Sequence, residues 1–130
     1  MLTDDELVRG FEDATLDDFP HACHVRVALV YLKRHGRDGA LPRLMDGILR
    51  LATAKGHPER FHVTMTRAWL ELIDAARRAH PDLAPAALID ACPDLLDRGA
   101  LLRFYSRERL HSEEARTVWI PPDLAEIGRI

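Results

Sequence analysis

Apolar residues recur along the chain at helical spacing, and prolines and glycines fall where helices begin and end. Thr3-Asp4-Asp5-Glu6 has the form of a capping box, in which the Thr hydroxyl and the Glu carboxylate satisfy each other's free N–H groups. It predicts a short helix through Phe11 with Leu7, Val8 and Phe11 turned inward. Pro20 fits the first position of a second helix, where its missing N–H costs nothing, and Gly36 fits the position just past its end. Between them Val25 to Leu32 is apolar nearly all round, which predicts an interior helix. The β-branched residues there would also suit a strand, but Pro20 and Gly36 stand at helix-cap spacing.

Asp38 opens a third predicted helix, with Pro42 in or just beyond its first turn. Leu41, Leu44, Met45, Ile48, Leu49 and Ala52 form a one-sided stripe, and Gly56 stops it. Pro58 begins a fourth helix, which runs to about Ala79, before Pro81. Phe61, Met65, Ala68, Leu72 and Ala76 make one stripe, and His62, Thr66, Trp69, Leu70 and Ile73 a second. Two stripes predict two neighbours. The last third is broken. Pro85 opens a helix through Leu88, Ile89 and Cys92, and Pro93 restarts it as far as Leu96. Gly99 caps that turn, Ala100 to Tyr105 is short and apolar, and Ser106 and Ser112 have the character of N-caps. Val118-Trp119-Ile120-Pro121-Pro122 must be extended because of its prolines, so the tail is expected to strap across the helices.

The fold class expected is all-α: a compact bundle of three long helices, a short N-terminal helix and a helical and extended C-terminal wrap. A length of 130 residues fits one domain with one core. It divides into an acidic arm and short helix (1–18), a three-helix core (19–80) and the wrap (81–130).

Composition narrows the function by exclusion. A net charge of −3 argues against a general nucleic-acid binder, which needs a basic face. No apolar run approaches the roughly 20 residues that span a bilayer, and the acidic start has no signal core. Two cysteines, Cys23 and Cys92, are too few for a disulfide framework and are expected as reduced thiols in a cytoplasmic protein.

What departs from a plain helical core is polar chemistry at two helix starts: His21 and His24 in the second helix, His62 in the fourth. Short links make successive helices antiparallel neighbours. The fourth should therefore begin at the end where the second began, with His62 and His57 near His21 and His24. Helix N-termini carry partial positive charge, which disfavours imidazolium and keeps such histidines neutral. Residues three apart share a face, so His21 and His24 can point together. With His62 they supply three nitrogens, a count that leaves a metal position open to water or substrate. Three readings follow: a zinc or iron site, a metal-free ligand or proton-transfer site, or histidines that only bond helix ends.

His24, His62 and Tyr105 are the candidates for catalytic groups. Thr66, Arg26, Arg116 and Asp123 are candidates for ligand binding, with either arginine neutralising an anion and Asp123 orienting a histidine through its second nitrogen. Tyr105, Arg116 and Asp123 reach the histidines only if the tail crosses that end. Thr66, one turn beyond His62 on the same face, is preferred to Thr64 as a ligand contact. Cys23 points about 100 degrees away from its histidine neighbours and reads as a small buried residue. Tyr31 and Trp69 read as core.

Phe19-x-His21-x-x-His24-x-x-x-Ala28, followed by Phe61-His62-Val63-Thr64-Met65-Thr66-Arg67-Ala68, resembles a family of small uncharacterised bacterial proteins. A third segment, from Leu95-Leu96 onward to Phe104-Tyr105, Leu110, Ser112, Ala115-Arg116 and Pro122-Asp123-Leu124, extends the likeness over nearly the whole chain from Phe19. Phe61 stands where the pattern has a Tyr, which removes any phenolic role there. The resemblance implies that His21, His24, His62, Thr66, Tyr105, Arg116 and Asp123 form one constellation; it implies no particular reaction. The function expected is a small-molecule binding protein or enzyme with a histidine-lined pocket for a small polar or anionic molecule. The alternative is a non-enzymatic protein-interaction module with structural histidines. A homodimer that swaps the C-terminal strap is compatible with Pro121-Pro122.

Overall fold

The computed structural model describes residues 2–127. Those residues are helical or irregular, with no strand among them. The chain groups into two compact units, Met1–Phe61 and His62–Ile130. No helix among the described residues is long and apolar enough to cross a membrane.

In the first unit, α1 (Asp4–Glu12) starts with the expected capping box: the Glu6 N–H donates to Thr3 Oγ1 at 3.1 Å and the Thr3 N–H to Glu6 Oε1 at 2.9 Å. Its end is a Schellman motif. The Thr15 N–H reaches the Gly10 carbonyl at 2.9 Å and the Ala14 N–H the Phe11 carbonyl at 3.2 Å. The left-handed position of that motif is held by Ala14, φ +56°, where glycine is usual.

The second and third predicted helices form α2 (His21–Ala54), interrupted where expected: Gly36, at φ +68°, leaves helical geometry. In the first segment Val25 and the run from Val27 to Leu32 are buried. The second segment buries Ala40, Leu44, Gly47 and Leu51; of the predicted stripe Leu44 is buried, Leu41, Met45, Ile48 and Ala52 are half-buried, and Leu49 is exposed. The buried face is shifted from the predicted one toward Gly47, which presses on the Phe11 ring where any β-carbon would collide with it; hydropathy gives a glycine no weight.

α1 contacts both segments of α2. Arg26 bonds the Leu2 carbonyl and, at 2.8 Å, Asp4, Arg34 pairs with Asp5, and the Tyr31 hydroxyl donates to Glu12 at 2.9 Å. On the second segment Arg50 donates to the Glu12 carbonyl. Phe11 stacks on Phe19 at 5.0 Å between ring centres. Gly56, φ +80°, ends α2 as predicted.

Pro58 does not open the next long helix. Pro58–Arg60 is an isolated 3-10 turn, Phe61 and His62 are extended, and α3 (Val63–Ala79) begins one residue after His62. The histidine is thus the N-cap and not a residue of the first turn. In the second unit α3 buries Thr64, Thr66, Ala68, Trp69, Leu70 and Ile73. Phe61, Met65 and Leu72, from the other predicted stripe, are only half-buried. Buried Asp74 is ion-paired with Arg77 at 2.7 Å and Arg78 at 3.2 Å. α4 (Pro85–Ala91), two 3-10 turns (Pro93–Leu96 and Ala100–Arg103), α5 (Arg107–Leu110) and α6 (Glu113–Thr117) follow. Ser106 and Ser112 cap the last two, as their positions predicted.

Candidate functional site

The candidate residues fall in both units: His21, His24 and Arg26 in the first, and His62, Thr66, Tyr105, Arg116 and Asp123 in the second.

At the start of α2 the rings of His21 and His24 lie edge to face, 5.8 Å between centres, one helical turn apart as the spacing required. Phe19 covers the His24 ring at 6.0 Å. Pro20, the N-cap, offers no side-chain hydrogen bond, and the first turn holds no acidic residue. The positive end of this helix is therefore uncompensated by its own cap. His24 Nε2 is shut off from solvent and no protein donor or acceptor reaches it. Desolvation, with a smaller contribution from the neighbouring His21, lowers its pKa to about 4. The imidazole is neutral at physiological pH, as expected from its place. Arg26, offered as an anion contact, instead bonds the chain's own Asp4 and Leu2. Cys23 is half-buried rather than fully buried.

In the second unit the polar residues at the start of α3 serve the fold. His62 Nδ1 accepts the Met65 N–H at 3.0 Å, capping α3, which puts the ring proton on Nε2, 2.9 Å from the Leu110 carbonyl. Both nitrogens are engaged. Desolvation lowers its pKa, against the pull of the Leu110 carbonyl. Thr66 spends its hydroxyl on the His62 carbonyl at 2.7 Å. Thr64, rather than Thr66, reaches furthest along the chain. Its hydroxyl donates to the Val118 carbonyl at 2.8 Å and accepts the Ile120 N–H at 3.1 Å.

Tyr105, fully buried, donates to the Ile120 carbonyl at 2.6 Å, and burial pushes its pKa up to about 12. Asp123 accepts the Ser106 N–H at 2.8 Å rather than orienting a histidine; those hydrogen bonds hold its carboxyl below the usual range. Arg109 donates to the Pro121 carbonyl at 2.7 Å, and Arg67 lies 4.2 Å over the Trp119 ring. Within this unit residues 118–123 are thus fastened by Thr64, Tyr105, Ser106 and Arg109, and of the tail residues singled out from sequence Tyr105 and Asp123 take part. Arg116 pairs with Glu113 at 3.2 Å and contributes positive charge near His62.

Among the described residues no group of three or more His, Cys, Asp or Glu side chains is placed to hold a metal ion. His62, expected as a ligand with His21 and His24, has no nitrogen lone pair to give a metal, because its Nδ1 accepts from Met65 and its Nε2 donates to Leu110. The sequence carries no sign of this, because a helix-capping imidazole and a metal-ligating one occupy the same kind of position. Comparison with protein-family models, with curated proteins and with solved structures returned no match.

Proposed function

We propose that the chain is a small-molecule binding protein, or an enzyme built on such a site, whose recognition groups are His24 and His21 at the start of α2. The observation that carries this reading is the enclosed, unpartnered Nε2 of His24. Buried polar atoms almost always have a hydrogen-bond partner, so one without a protein partner points to a ligand atom. A neutral imidazole offers one donor and one acceptor, and the uncapped helix start favours a partner of negative charge or partial charge. The ligand class is a small polar or anionic molecule such as a phosphate or a carboxylate. The protein belongs, on this reading, to the cytoplasm and to the bacterial family its three motifs resemble, and it does not engage nucleic acid.

The alternative, an interaction module with structural histidines, is favoured by His62, whose ring is used wholly in capping α3 and holding Leu110. Thermal denaturation of untagged protein with phosphate, acetate or zinc separates the two. The pocket reading expects at least one of these to raise the melting temperature of the wild type, with protection lost in both His24→Phe and His21→Ala. Protection by none of them, or protection indifferent to both substitutions, favours the module.

A further inference from the structure

The flank of α3 away from its capped start carries a hollow of about 280 Å³. Its floor is one helical face, Leu72, Ala75, Ala76 and Ala79, and its far wall is Leu95 and Phe104. These positions recur every three or four residues, so the face is set by the helix itself. Alanines stand where larger side chains would close the space, and the half-buried Leu72 and Ala76 belong to the stripe that the sequence predicted would meet a neighbour. Small-ligand sites begin at about 300 Å³ with mainly apolar walls and a few polar groups, and this solvent-open hollow lies close to that lower bound.

The charged groups at the hollow set the kind of ligand. Arg103 is bound to Asp94 at 3.1 Å and faces Asp97 at 3.8 Å. Asp94 neutralises the arginine within the lining, so Arg103 has no unopposed charge for an anion. His80 and Cys92, the other polar lining residues, supply weak donors and acceptors rather than fixed charge. Phe104 offers an aromatic surface against which a flat ring packs.

We propose that this hollow binds a small uncharged aromatic molecule of about ten heavy atoms. The site is independent of the α2 histidines, so neither proposal stands or falls with the other. Indole and indole-3-acetate, which differ by a carboxylate, are the probes, read by amide shifts of the full chain. Indole is expected to shift the amides of Ala76, Leu95 and Phe104 saturably, half-saturating at about 1 mM or below, and indole-3-acetate to bind about tenfold more weakly or worse. Ala79→Trp, at an exposed position lining the hollow, fills it and is expected to weaken indole binding at least tenfold while the helical circular dichroism is retained. Ala76→Phe serves the same end if the first variant misfolds. The wild-type titration decides alone if both misfold. No saturable shift at these residues, binding unchanged in a folded filled variant, or equal binding of the anion overturns the proposal.

Discussion

At single positions the chain shows where side-chain chemistry and backbone geometry disagree. Ala14 sits in the left-handed region at φ +56° and closes the Schellman motif of α1. An L-residue with a β-carbon pays roughly 1 kcal/mol there that glycine does not. Ala14→Gly should therefore stabilise the protein by about 0.5 kcal/mol or less, once the extra unfolded-state freedom of glycine is subtracted, measured by urea denaturation; a clear loss of stability would contradict the assignment of strain. His62 shows the converse case of a residue whose role differs from its appearance. Its imidazole accepts from Met65 and bonds Leu110, so its place at a helix start reflects capping.

At the level of elements, most of the helical grammar was legible and some of its packing was not. Thr3 and Glu6, Gly36, Gly56, Ser106 and Ser112 stand at boundaries that local backbone chemistry dictates, and each is a boundary in the structure. Pro58 misled, because a proline suits the first position of a 3-10 turn as well as that of an α-helix. The face buried by residues 40–51 was legible at Leu44 but not at Gly47, the contact of Phe11, which has no side chain to register in a hydropathy pattern. The strap was predicted from Pro121 and Pro122, but its fastenings are bonds to backbone carbonyls and N–H groups, which side-chain identity does not encode. Thr64 is the clearest of them. Thr64→Val keeps the volume and removes both hydrogen bonds to the strap, leaving the Val118 carbonyl and Ile120 N–H to find other partners. A loss of about 2 kcal/mol is expected, together with a change in tryptophan emission as Trp119 leaves Arg67. A variant as stable as wild type with unchanged emission would show that the tail is held elsewhere.

For the whole molecule, the candidate site links ligand recognition to pH. His24 has its pKa lowered from 6.5 to about 4 by burial. The unfolded chain therefore binds this proton more readily than the folded one, and the stability that depends on a neutral His24 is full above pH 6.5 and declines as pH falls toward 4. The loss over that range amounts to about 3 kcal/mol. His24→Phe should flatten that part of the pH–stability curve, with the remaining slope in the same direction coming in part from His62, whose pKa is also lowered. The most direct measurement is the ¹⁵N resonance of His24 Nε2, followed from pH 8 to pH 3.5 and then at pH 7 with phosphate and with acetate. The account predicts a ring that stays neutral until close to pH 4 and an Nε2 resonance that moves saturably with at least one of the two anions. A ring that titrates near 6.5, or a resonance that neither anion moves, would contradict it.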